Sequence, residues 1–323
     1  MIQHSPYPLQ FAPLIKQTLW GGRQLGDLLG KPIGQEDNYA ESWEVVDHGD
    51  DQSVVLDGPL AGETLSGLID RDRRWVLGGD SDASQFPLLL KYLDCNRVLS
   101  VQVHPDDAYG ARMPVPDRGK TEAWYVVDTQ PESLIYAGLK SGIDRDGLAQ
   151  AVAAGQTDQV LHAFHPKPGD CVFIPAGTVH ALGAGLVIAE IQQSSDTTFR
   201  LFDWNRVGPD GKSRPLHIEQ SLDVTDYQRG PVNAISSDRA ADGRQNLVRC
   251  DKFTLDALEN GEADVGGDGK FCIITVPRGT AVLETPEQKL TLPRGGTVLL
   301  PAPMPRCRLR VEPDSTALVA GPA

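Results

Sequence analysis

Gln102, His104, Glu122 and His180 are the residues of this 323-residue chain whose types converge on one chemistry. Two imidazoles, a carboxylate and a carboxamide suit a borderline divalent metal such as zinc. They stand in three distinctive strings: LSVQVHPDD, GKTEAWYVV and GDCVFIPAGTVHAL. Strand period two puts Gln102 and His104 on one face of VQVH, with Val101 and Val103 on the other. Polar side chains turned into a barrel are costly unless bound or hydrogen-bonded. On VQVH alone, a polar outer face over buried valines is an equal reading. Glu122 alone reads more simply as a strand-edge carboxylate paired with Lys120, and His180 as a satisfied core histidine. Only strands curled into a barrel bring all four to one point.

A second group lies in VIAEIQQSSDTTFRLFDWNR. Glu190 and Gln192 share a strand face, and Arg200 follows a Ser/Asp/Thr-rich turn. An arginine at a barrel mouth suits an oxyanion or a phosphate through its planar fork. An ion pair with Asp196 or Asp203 is the plain alternative. His4, His48, His162, His165 and His217 have weaker contexts, with His162 and His165 placed on the surface near a helix end.

The elements that must position these groups are mostly short strands. Residues 1–60 carry β-rich strings and turns. Thr64 is placed to cap a helix whose Leu65, Leu68 and Ile69 share a face. Pro87 opens the apolar run PLLLKYLD, and VLSVQVH follows as a strand. Segments 120–128 and 133–139 read as a hairpin. Helical periodicity returns at 145–161, with Leu148, Ala151 and Val152 on one side and Gly155 as the stop. Strands resume from 169 to 204, broken at Pro175-Ala176-Gly177. Polar residues 232–246 read as a linker or long surface loop.

The last 75 or so residues are almost wholly strand-like and hold a weak internal repeat. GDCVFIPAGTVH (169–180) overlays GGTVLLPAPMPR (295–306), so that Arg306 takes the place of His180. Upstream, WYVV (124–127) aligns with FCII (271–274), which sets Gly269 near the place of Glu122. The expectation is two related β-barrels: a catalytic part over 1–235 with helical insertions, and a smaller one over 246–323 without metal ligands.

Composition bounds the partners. Hydrophobic content of 40% and charged content of 23% are ordinary for a globular chain, and 33 Gly with 24 Pro fit many turns. A net charge of -14 argues against nucleic acid and anionic membranes. Five scattered cysteines without a C-x-x-C pair read as reduced thiols of a cytosolic protein. No signal-peptide pattern and no apolar run of about 20 residues is present.

Taken together, WGG (20–22), ESWEV (41–45), PLLLKYLD, LSVQVHPDD, GKTEAWYV, GDCVFIPAGTVHAL, EIQQSSDTTFRLFDWNR and LHIEQSLDV resemble the type I mannose-6-phosphate isomerase family, in its short bacterial form within the cupin superfamily. The likeness covers residues 10–225 in order. It implies two cupin-type jelly-roll barrels in a mainly β chain and one zinc ion held by Gln102, His104, Glu122 and His180. It implies a catalytic Arg200, with Lys120 and Glu190 as polar active-site groups and candidate bases. Lys91 and Ser100 match pocket positions, and Lys91 or Arg206 would hold the phosphate. Asn205 departs from the family's usual glycine at a turn. The substrate expected is a small phosphorylated sugar, with the chain a cytoplasmic monomer or weak homodimer. Two rivals fit parts of the same pattern: an iron(II) cupin dioxygenase, and a cupin that binds sugar or metal without turnover.

Overall fold

The protein's structure, a computed structural model, describes residues 1–79, 81, 83–208, 211–236, 240 and 243–323. In chain order the first part runs β1 (Leu14–Gly22), α1 (Gln24–Asp27), β2 (Tyr39–Val45), β3 (Asp47–His48), β4 (Asp51–Gln52), α2 (Leu65–Leu77), β5 (Leu88–Cys95), β6 (Val101–Val103), α3 (Asp107–Gly110), β7 (Glu122–Thr129), β8 (Ile135–Leu139), α4 (Arg145–Ala153), β9 (Leu161–Phe164), β10 (Cys171–Ile174), β11 (His180–Leu182), β12 (Leu186–Gln193), β13 (Phe199–Phe202) and α5 (Ile218–Val224). The second part holds β14 (Arg244–Arg249), β15 (Phe253–Glu259), β16 (Glu262–Val265), β17 (Cys272–Arg278), β18 (Thr280–Glu284), β19 (Lys289–Pro293), β20 (Thr297–Leu300), β21 (Cys307–Val311) and β22 (Thr316–Pro322).

Each part is a pair of facing antiparallel sheets. The first pairs β1-β2-β5-β12-β7-β10 with β13-β6-β11-β8-β9. The second pairs β14-β15-β22-β17-β20 with β16-β21-β18-β19. Strands β5 to β12 and β15 to β22 therefore occupy the same places in the same order, which is the jelly-roll plan repeated. The weak sequence repeat is the trace of this. Its upstream half needs a correction: Ile174 faces Glu122, and Leu300 faces Cys272, so the place of Glu122 falls on Cys272 and not on Gly269.

Strands β5 and β12 are buried along their whole length, and β7 over all but its last two residues, because both faces are covered. One face carries Leu88, Leu90, Tyr92, Ala123, Tyr125, Val187 and Ile191, packed against Leu255, Ile273, Leu299 and Leu318 of the second barrel. The other face lines the first barrel, and its character changes along each strand. Lys91 gives way to Leu93 and Cys95, Glu122 to Trp124 and Val126, Glu190 to Ile188 and Leu186. The barrel is thus polar at one end and plugged with apolar side chains at the other. The second barrel is filled mainly by apolar side chains, among them Ile274, Val276, Leu283, Val298, Leu300 and Leu309, with Asp256 buried on β15 and paired with Arg244 and Arg249.

Thr64 caps α2 by accepting from the Gly67 N–H, and Leu65, Leu68 and Ile69 are buried. Helix α4 ends before Gly155, which takes φ +68. Two expectations need correcting, the hairpin at 120–139 and the loop at 232–246. Segments β7 and β8 form no hairpin: β7 pairs with β10 and β12, and β8 with β9 and β11, so the turn between them crosses from one sheet to the other. His162 lies on β9, just after a 3-10 turn over Thr157–Val160, and bonds Asn233; His165 is exposed and bonds the Ser133 carbonyl, so both stand near a helix end as expected. The stretch 232–246 is only partly loop. Val232 and Ile235 donate to Ala137 and Cys171, β14 begins at Arg244, and residues 237–239 and 241–242 lie outside the described residues. Among the described residues, no helix is long and apolar enough to cross a membrane.

Candidate metal centre

The polar end of the first barrel gathers its groups by register. His180 lies opposite Gln102, and Gln102 opposite Arg200, so these three point to one side of their sheet. On the facing sheet, Glu190 lies opposite both Lys91 and Trp124, and Gln192 opposite Glu122. Val101 and Val103 are fully buried on the outer face, which settles the ambiguity of VQVH: both faces are covered, and the polar one is inside.

His104, Glu122 and His180 are all buried, and their ligand atoms lie within 4.8 Å of one another. His104 Nε2 is 3.5 Å from Glu122 Oε2, and His180 Nε2 is 3.4 Å from Glu122 Oε1. Two donors about 2.1 Å from one tetrahedral ion lie roughly 3.4 Å apart. Each ring is turned by its other nitrogen: His104 Nδ1 meets the Thr197 carbonyl at 3.0 Å and His180 Nδ1 the Thr178 carbonyl at 2.9 Å. A carbonyl only accepts, so Nδ1 carries the proton and Nε2 presents a lone pair to the centre. Both Nε2 atoms and Glu122 Oε2 are buried without a hydrogen-bond partner. Burial, helped by the Lys120 ammonium, pushes the His104 pKa down to about 3. Burial likewise lowers that of His180. Burial opposes the charge on Glu122, yet Lys120 and His104 hold its pKa well below the carboxylate range. Neutral imidazoles beside an ionised carboxylate are the protonation states a divalent cation requires, and the residues fit one.

Beside this cluster lies a cavity of about 330 Å³. Lys91, Ser100, Gln102, Lys120, Glu190 and Arg200 line it, as do Trp20, Glu41, Trp124 and Arg214. Lys120 reaches Glu122 at 3.3 Å and Glu190 at 3.9 Å. Lys91 is held between Glu41 at 3.2 Å and Glu190 at 3.3 Å. Burial works against the charge on Lys91, but Glu190 and Glu41 outweigh it and raise its pKa. Trp124 Nε1 donates to Glu190 Oε2, while the buried Oε1 faces the Lys91 and Lys120 ammoniums. Burial, then the Glu122 charge, push the Glu190 pKa up to about 7 against the pull of both lysines. A carboxyl poised there can take and return a proton near neutrality.

Arg200 gives one nitrogen to the Pro215 carbonyl, while its Nε is buried and unpartnered. The structure does not bring Arg206 to the cavity wall. Its guanidinium bonds the Val98 carbonyl and Asp203. Arg214, which the sequence did not single out, shares Asp203 at 2.7 and 2.9 Å and does line the cavity. Trp124 and Glu41 were also missed. Alternation marks both as strand residues, but only the sheet register shows what they face. A larger cleft of about 660 Å³ runs behind the 175–177 turn and holds none of the cluster.

Residues 9–133 match the model of the type I phosphomannose isomerase catalytic domain. Mannose-6-phosphate isomerase ManA of Bacillus subtilis is 35% identical over 297 residues, 91% of this chain and 93% of its own. The crystal structure of the mannose 6-phosphate isomerase from Bacillus subtilis superposes with a TM-score of 0.88 at 30% identity, covering 97% of this chain and 99% of that one. A mannose 6-phosphate isomerase bound with zinc and yttrium shares the fold at a TM-score of 0.77 and 16% identity, over 98% and 99% of the two chains. On the matching domain model and the length of that alignment, the chain belongs to the type I mannose-6-phosphate isomerase family.

Proposed function

We propose that the chain is a zinc-dependent aldose–ketose isomerase that interconverts mannose 6-phosphate and fructose 6-phosphate. The observation that carries this reading is Glu190: a buried carboxyl with a near-neutral pKa, fixed by Trp124, on the wall of the cavity that lies beside a metal-ready cluster. Family membership supplies the substrate class. A bound zinc, one per chain, would be held by His104, Glu122 and His180 with Gln102, and would supply Lewis-acid polarisation of the two reacting oxygens.

The chain's own groups supply the rest. Glu190 Oε1 takes the proton from C2 and returns it to C1, with Lys120 the second candidate for that role. Arg200 stabilises the negative charge that develops on the cis-enediolate. Lys91, pinned between two carboxylates, keeps Glu190 in place and faces the substrate's polar atoms. The phosphate belongs at the arginine end. Arg206 and Arg214 share one carboxylate, Asp203, and Arg200 beside them bonds a carbonyl, so an excess of positive charge stands at this end of the cavity, with the Ser100 hydroxyl on its wall. Arg214, in place of Arg206, is the residue there for a phosphate. Binding alone does not require a base beside the cluster, and Gln102 as a further ligand would fill a position that an oxygenase keeps open for oxygen.

We assign the chain to the cytoplasm, where Cys95, Cys171, Cys250, Cys272 and Cys307 stay as the free thiols they are here. A monomer or weak homodimer suits a site built from one chain. The test is conversion of mannose 6-phosphate to fructose 6-phosphate before and after chelation, with zinc added back. Turnover that is lost and restored supports the reading. A folded, zinc-loaded protein without turnover removes it.

A further inference from the structure

His104 owes its orientation to a carbonyl that no strand holds. Thr197 sits in the segment between β12 and β13, where residues 195–198 have no regular structure. Its carbonyl must nevertheless stay in place for His104 Nδ1 to meet it at 3.0 Å. From outside, the Arg118 carbonyl accepts from the Ser195 hydroxyl at 3.0 Å, and the side chain that reaches this segment is that of Asp117. Its Oδ2 accepts from the Thr197 hydroxyl at 2.6 Å and from the Ser195 hydroxyl at 2.9 Å. Its Oδ1 accepts from the Arg118 N–H at 2.7 Å. Asp117 is itself tied back to the segment that follows His104, for its N–H donates to the Gly110 carbonyl at the end of α3. The path from His104 through α3, Asp117 and Thr197 back to the His104 ring is therefore closed. From inside, Gln192 Nε2 fixes the Ser195 carbonyl at 2.7 Å.

We propose that Asp117 is a positioning residue for the metal centre, holding the Thr197 carbonyl so that His104 Nε2 is aimed at the ion. The inference rests on the zinc reading of the cluster. A carboxylate with two hydroxyl donors on one oxygen makes short, strong bonds, and it constrains a segment that otherwise has few. Groups that orient a metal-bound histidine through its far nitrogen usually change metal affinity by about 10- to 100-fold when removed. Asp117 acts one bond further out, so the lower end of that range is expected.

The experiment uses the apo full-length chain. Zinc affinity is measured by competition with a chromogenic chelator, and the visible spectrum is recorded with cobalt in place of zinc. Asp117→Ala should weaken zinc about 10-fold and shift the cobalt bands, while the apo thermal midpoint stays near that of the wild type. Asp117→Asn, which keeps an acceptor, should fall between. Thr197→Val removes the same bond from its other end, so the double variant should be no worse than Asp117→Ala alone. Unchanged zinc affinity and cobalt spectrum in Asp117→Ala would overturn the proposal. So would strict additivity in the double variant, or a loss of affinity matched by a collapse of the apo midpoint. A wild-type chain that takes up no divalent metal overturns the zinc reading as well, which separates the two failures.

Discussion

Three side chains, His104, Glu122 and His180, are buried with lone pairs turned on one another. Alanine at any of the three should lower metal content and activity together, by at least about 100-fold in activity. Elemental analysis beside a coupled isomerase assay checks this, and full activity without metal would refute the site. The arginines should separate. Arg200→Ala should keep its metal and lose about 100-fold in kcat, as removal of an oxyanion-stabilising donor does. Arg214→Ala should chiefly raise KM for the sugar phosphate, with kcat little changed. Glu190 makes a statement about pH. A base works only when deprotonated, and burial raises its pKa to about 7, so kcat should fall about tenfold per unit below that point. A cation held by Glu122 favours the carboxylate form, so the limb should lie no higher than about pH 7. Glu190→Gln should remove the limb along with most of the activity.

The turn between β10 and β11 sets where His180 begins. Gly177 takes φ +86, its N–H donates to the His104 carbonyl at 2.9 Å, and a Cβ there would lie 3.1 Å from the Val224 carbonyl. Gly177→Ala should therefore cost about 1–3 kcal/mol in denaturant unfolding and weaken metal binding as well. A variant as stable as the wild type would show that this turn tolerates a side chain. Elements were the level most legible in the sequence. The cap at Thr64, the helix faces and most strands follow from period and punctuation. What was illegible was partnership. Strands β7 and β8 alternate as hairpin strands do, and nothing local says that their turn bridges two sheets. The upstream half of the repeat was displaced by three positions for the same reason, since short apolar strings align almost equally well at several offsets until hydrogen bonds fix the register. The cluster of His104, Glu122 and His180 was legible through the family resemblance of its three strings, since taken alone none of these residues outweighs a structural reading. Arg214 was not, because its placement depends on Asp203, eleven residues away across a loop.

At the scale of the molecule the two barrels are joined through one apolar face, with polar pins inside it. Lys31 bonds Glu44 and the Gly295 carbonyl, with both side chains nearly buried, and Tyr92 meets Thr275 at 2.6 Å. Lys31→Met should leave Glu44 buried without its partner and cost about 3–5 kcal/mol, read from urea unfolding. Activity of the fraction that stays folded should change little, because the site lies on the far face of the shared sheet. The same plan of eight strands stands twice in the chain, and its two copies meet opposite demands: one encloses acids and bases, while the other is filled largely with aliphatic side chains, with Cys272 where Glu122 stands in the first. The chain thus carries an internal control: a position in the first barrel can be compared with its counterpart in a barrel that folds on the same plan without the cluster.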